Sequence, residues 1–180
     1  MMVRFDASRA VPPGTTGPPR GAAPFDPILE ARRQWEVHGW ADAAPGMAAL
    51  TSVMRVQQLF LARVDTVLAP FDLTFARYEL LRLLAFTRYG ELPLGKIGDR
   101  LQVHATSVTS AVNRLEAQGF VRRKPHPTDG RTVLAAITRR GRTVVDRATA
   151  ALNTGVFTAL GLSDRELERL FGLLAKVRNS

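Results

Sequence analysis

Residues 104–132 read HATSVTSAVNRLEAQGFVRRKPHPTDGRT, and the hydroxyls at the front of this stretch are the side chains best placed to do chemistry. Thr106, Ser107, Thr109 and Ser110 are mediocre helix formers, yet they lead a segment whose apolar residues recur at helical spacing. On a helical wheel, with about 100° per residue, Val108, Val112 and Leu115 fall together as the buried side. Thr106, Ser110, Asn113, Arg114 and Ala117 lie opposite. Either Thr106 or Ser107 is expected to cap the helix, but capping needs one hydroxyl and four are present. A short polar face that both donates and accepts hydrogen bonds suits a helix entering a DNA major groove. Bulky side chains would prevent approach there, and the base edges offer donors and acceptors. The helix N-terminus adds partial positive charge toward phosphates.

Three basic residues follow directly, Arg122, Arg123 and Lys124, on a β-prone run. A half-buried strand places one of Arg122 and Arg123 inward, which is costly unless an anion or partner is near. Beyond His126-Pro127-Thr128, the pair Asp129-Gly130 is a hairpin signal. Arg131 should project from that turn, with the Asp129 carboxylate expected to hold its guanidinium through a charge-assisted hydrogen bond. A pre-aimed arginine on a narrow loop suits an A·T-rich minor groove.

The charge distribution agrees. Between Leu94 and Arg142 stand ten Lys/Arg and three acids, Asp99, Glu116 and Asp129, so seven of the nine net positive charges fall within a third of the 180 residues. Such a zone is the footprint of a polyanion partner. No GxSxG, P-loop, HExxH or paired-carboxylate pattern occurs, so an enzyme is not expected. The chain has no cysteine and three isolated histidines, His38, His104 and His126. No metal, cofactor, disulfide or thiol switch is therefore expected. No apolar run reaches the ~18 residues of a membrane span, and no secretory leader is recognisable, which points to the cytoplasm and away from membranes.

Around the hydroxyl-led helix, the sequence predicts a mainly α fold with a small β-hairpin wing. Residues 1–25, rich in Pro and Gly, read as a flexible tail. A short helix is expected from Pro27 to about Trp40, before a break at Ala44-Pro45-Gly46. A long one should follow from about Met47 to Ala69, stopped by Pro70 and apolar on more than one face. Three short helices come next: one capped by Thr74, with Tyr78, Leu81, Leu84 and Ala85 inward; Leu94–Leu101; and Ala105 to Gly119. Strands are expected over Val121–Lys124 and Thr132–Ile137. Then comes a helix from Thr138 to about Asn153, ending near Gly155. The last helix opens with a Ser163/Glu166 capping box and carries Leu167, Leu170, Phe171, Leu174 and Val177 as a stripe. Helix, helix, helix, hairpin is the order of a winged helix-turn-helix. The expected division is 26–72 and 138–180 as one helical lobe, with 73–137 as an intervening DNA-binding domain.

Residues 73–142 resemble the MarR family of bacterial transcription regulators. The resemblance is carried by YELLRLL (78–84), Leu94-x-x-Ile97-x-x-x-Leu101, SVTSAVNRLEAQGFVRR (107–123), the Asp129-x-Arg131 wing and Ile137-Thr138-x-x-Gly141. It implies an obligate homodimer with interleaved terminal helices and a winged domain on each side. Such a dimer binds double-stranded DNA at a palindromic operator, usually as a repressor. It often lets go when a small aromatic or phenolic ligand enters between the lobes. By resemblance the recognition-helix role falls on Thr106, Ser107, Thr109, Ser110, Asn113 and Arg114, and the wing role on Asp129 and Arg131. Arg122, Arg123 and Lys124 match strand positions that contact phosphate or scaffold. The segment EARRQWEVHGW is similar to an extra N-terminal helix of a urate-responsive subset. That likeness implies a ligand pocket bordered by Trp35, Glu79 and Arg123, although Ala111 stands where the subset has an arginine. Without cysteine, the oxidation-sensing branch is excluded. The alternative is a winged-helix adaptor that contacts proteins and does not bind specific DNA.

Overall fold

A computed structural model describes residues 25–129 and 131–179. Helix α1, Pro27–Val37, starts where the Asp26 carboxylate accepts from the Ile28 and Leu29 N–H groups at 2.8 and 3.2 Å. It stops short of Trp40 at Gly39, whose positive φ of 87° reverses the chain. Helix α2 covers Ala44–Leu68. It begins three residues before the expected start because Pro45 lies in its first turn, where the missing N–H removes no hydrogen bond. A 3-10 turn, Ala69–Phe71, ends on Asp72 in the left-handed region (φ 52°). The Pro/Gly-rich tail expected over 1–25 lies outside the described residues apart from Phe25.

The expected elements then appear in order: α3 Phe75–Phe86, α4 Leu94–Leu101, α5 Ala105–Ala117, β2 Val121–Pro125, β3 Val133–Ile137, α6 Arg139–Leu152 and α7 Asp164–Arg178. One strand was not expected. β1, Glu91–Pro93, pairs antiparallel with β3 and makes the sheet three-stranded, in the order β1-β3-β2. Three residues ending in proline carry no alternation to read, and an edge strand tolerates the missing donor. β3 is the central strand, and Leu134, Ala135, Ala136 and Ile137 are all buried.

The described residues form two compact units, one up to Met54 and the other from Arg55 onward, so the division falls within α2. In the second unit, Leu81 and Leu84 of α3, Ile97 of α4, Val112 and Leu115 of α5 and Val145 of α6 are fully buried in one core. Every inward residue expected on α5 is buried; on α3, Tyr78, Leu81 and Leu84 are buried as expected, Leu80 joins them, and Ala85 is only partly buried against the core. α6 does not stop at Gly155. It widens into a π turn over Asn153–Phe157. A Cβ on Gly155 would lie 3.3 Å from Val67 of α2, so this glycine serves close approach and does not end the helix. At α7, the Glu166 carboxylate accepts from the Ser163 N–H at 2.8 Å and from its hydroxyl at 2.7 Å.

Candidate nucleic-acid interface

Helix α5 is seated by Val108, Val112 and Leu115, which leaves Thr106, Ser107, Thr109, Ser110, Asn113 and Arg114 all exposed. The tight turn before it uses Gln102 in the left-handed region (φ 54°) and a Val103 N–H bond to the Gly98 carbonyl at 3.2 Å. His104, extended and without a side-chain bond, occupies the cap. Its carbonyl accepts from the Ser107 and Val108 N–H groups at 3.0 and 3.2 Å.

This corrects the capping expectation, because neither Thr106 nor Ser107 is the cap. They lie two and three residues past the cap, within the first turn and with helical backbone. Among the described residues, none of the four hydroxyls makes an intramolecular hydrogen bond. The front of α5 thus presents four uncommitted donor–acceptor groups beside unpaired helix N–H groups.

The strand arginine has a definite partner. Arg123 ion-pairs with Glu116, and its Nη2 donates to the Asn113 Oδ1 at 2.5 Å. The Arg123 N–H also donates to Glu116 Oε1 at 2.9 Å. That backbone bond, more than the guanidinium, holds the Glu116 carboxyl below the usual glutamate range. The inward position on β2 is therefore neutralised from within, by an acid on α5. Lys124 pairs with Glu91 of β1, whereas Arg122 is exposed.

At the wing, Asp129 acts differently from expectation. Its Oδ1 accepts from the backbone N–H of Arg131 at 3.1 Å and its Oδ2 from the Thr132 hydroxyl at 2.6 Å. The Thr132 bond, followed by the Arg131 N–H, holds this carboxyl below the usual aspartate range. Both oxygens are used in shaping the turn, so the carboxylate organises the loop and does not grip the guanidinium. Arg131 is exposed, and its guanidinium has no partner among the described residues.

The ligand candidates divide between the two units. Trp35 packs on Trp40 within the first unit, with ring centroids 5.5 Å apart and planes tilted by 60°. Glu79, on α3 in the second unit, is half-buried and has no hydrogen bond or ion pair among the described residues. Burial pushes its carboxyl up. Arg123 is engaged with Glu116 and Asn113, as above.

Reading the sequence missed a polar bracket behind α5 that joins Arg77, Gln118 and Asp72. Its partners lie more than forty positions apart, so no local spacing announces it. The only local signal was Gln118, standing just before the helix-ending Gly119.

The sequence model of the MarR family matches residues 71–132. A curated relative, the uncharacterised HTH-type transcriptional regulator YhbI of Bacillus subtilis, is 29% identical over 118 residues, or 63% of this chain and 75% of that protein. The alignments with two other curated HTH-type regulators span 51% and 64% of their lengths. Among solved structures, Sco5413, a MarR family transcriptional regulator from Streptomyces coelicolor, superposes with a TM-score of 0.68 at 48% identity. The match covers 74% of this chain and 93% of that one. A mutant MarR from E. coli, solved in complex with operator DNA, superposes with a TM-score of 0.65 at 25% identity, covering 71% and 91%.

Proposed function

The chain belongs to the MarR family of transcriptional regulators, and from that premise we propose that it is a homodimeric repressor of a palindromic operator, released by a small aromatic or anionic ligand. As a DNA-binding transcription regulator it needs no catalytic centre. The observation that carries the reading is the set of four hydroxyls on the exposed front of α5, none of them hydrogen-bonded among the described residues. Thr106, Ser107, Thr109, Ser110, Asn113 and Arg114 read base edges and adjacent phosphates in the major groove. Arg131 enters the neighbouring minor groove, on a turn shaped by Asp129.

Dimerisation is supported by apolar surface that one copy leaves in water. Leu59 of α2 is 58% exposed and Phe171 of α7 is 62% exposed, more than scattered surface residues require. Residues 26–72 and 138–180 then serve the dimer and 73–137 the DNA. Two copies related by a twofold axis read an inverted repeat, which is why a palindrome is the expected operator. The ligand arm rests on Trp35, a half-buried Glu79 without a partner among the described residues, and Arg123. No described helix is long and apolar enough to cross a membrane, and the proposed site of action is cytoplasmic nucleoid DNA.

A salt titration of binding to a duplex selected from a random pool tests the reading. Operator binding should weaken steeply, by about 0.9 log unit in affinity per log unit of salt for each phosphate neutralised. A flat response would favour a protein-contacting adaptor. Titrating Trp fluorescence and DNA affinity with salicylate and urate tests the ligand arm; indifference of both refutes it.

A further inference from the structure

We infer that Arg77 is a phosphate clamp for the DNA strand beside the recognition helix, aimed by a bracket of Gln118 and Asp72. This rests on the DNA-binding role and adds a contact outside the recognition helix and the wing.

Arg77 lies in the first turn of α3 and is half-buried. Its Nε donates to the Thr74 hydroxyl at 3.3 Å and its Nη1 to the Gln118 Oε1 at 3.1 Å. Gln118, at the end of α5, has its own orientation fixed. Its Nε2 donates to the Asp72 carbonyl at 2.8 Å and to the Asp72 Oδ2 at 2.7 Å. With the amide nitrogen held on Asp72, the amide oxygen is left facing Arg77. Asp72 is itself pinned in the left-handed backbone that closes the 3-10 turn.

One face of the guanidinium is thus held by neutral acceptors, and Nη2 has no partner among the described residues. Among the described residues no carboxylate ion-pairs with Arg77, and the nearby Asp72 carboxylate is turned to Gln118. Arg77 lines the same groove as Thr106, Ser107, Ser110 and Arg114. When those hydroxyls meet base edges, Arg77 at the start of α3, lining the same groove, meets the adjoining sugar–phosphate backbone. A planar fork with free N–H groups, fixed before DNA arrives, is suited to a phosphate. Gln118 and Asp72 are positioning residues: they touch Arg77 or each other and need not touch DNA.

The full chain is titrated by fluorescence anisotropy across salt, on a duplex it selected from a random pool and on a mixed-sequence duplex. Arg77→Gln, which can still bond Gln118 but lacks charge, should weaken both duplexes by a similar factor, about tenfold. It should also lower the magnitude of the log-affinity versus log-salt slope by about 1. Arg77→Lys should keep the slope and recover part of the affinity. Gln118→Ala should weaken binding in the parent but add little on top of Arg77→Gln, since it acts through that residue. An unchanged slope in Arg77→Gln overturns the proposal, as does a loss confined to the selected duplex or a full Gln118→Ala effect in the Arg77→Gln background. A parent chain with no salt dependence would overturn the DNA reading itself, whereas these outcomes overturn the clamp alone.

Discussion

Arg123 reaches from strand β2 to Asn113 on the recognition helix, its Nη2 2.5 Å from the Asn113 Oδ1, while its Nη1 ion-pairs with Glu116 one turn further along. The wing and α5 are therefore tied by one side chain, and the Asn113 amide, proposed to read a base edge, is held from behind. The positive charge of Arg123 is largely answered by Glu116, which favours an orienting part over phosphate neutralisation.

Removing that tie should show in sequence discrimination before bulk affinity. Arg123→Ala should cost about 1 kcal/mol of stability, a figure kept low by solvent screening at a partly exposed pair. It should narrow the affinity gap between selected and mixed-sequence duplexes, with little change in salt slope. Anisotropy titrations on both duplexes check this; a slope reduced by a full phosphate would instead make Arg123 a backbone contact.

Arg131→Ala and Asp129→Ala separate the two wing roles. The first removes the free guanidinium and should weaken operator binding by ~1–3 kcal/mol with the melting temperature unchanged. The second removes the two bonds that shape the turn. It should weaken binding less and raise amide exchange in the wing. Equal losses with no change in exchange would mean that Asp129 does not act through loop order.

Gly141 makes a packing prediction. A Cβ there would lie 2.2 Å from the Phe120 carbonyl oxygen, which already accepts from the Thr138 N–H at 3.0 Å. Gly141→Ala should destabilise the fold by about 1–3 kcal/mol through overpacking against backbone. Gly95→Ala, with nothing within 4 Å of the new methyl, should be neutral or slightly stabilising. Thermal melts of the pair give the answer, and equal melting temperatures would contradict this packing.

Glu79 predicts a pH dependence. Burial raises its carboxyl above the ordinary glutamate value, so the folded chain keeps a proton that the unfolded chain has already lost. The stability it contributes is full below the unfolded pKa. It falls away as pH rises from there through the raised value. Glu79→Gln should flatten that decline and leave the protein more resistant to urea at pH 7 than its parent, with little difference near pH 4. Parallel midpoint curves for parent and variant would rule the effect out.

Residues that act through local periodicity are legible in the sequence alone. The buried side of α5, the Thr74 and Thr138 caps and the Gly119 stop all depend on neighbours within about one helical turn. Where competing local chemistry is available, sequence and structure part. Thr106 and Ser107 have the chemistry of caps, but His104 takes the position, and the Asp129 carboxylate turns to a backbone N–H in place of a guanidinium. The Arg77–Gln118–Asp72 bracket and strand β1 are invisible in the sequence for a different reason. Each is created by chain segments that meet only in three dimensions, and the pairing of Glu91 with Ala136 leaves no trace in either segment.

Selection of bound duplexes from a fully random pool, followed by sequencing, tests the central claim most directly. A symmetric pair of recognition helices should enrich two inverted half-sites with centres about one helical turn apart, roughly 10 bp. A pool that stays random through successive rounds, or that yields a single unpaired half-site, would contradict it.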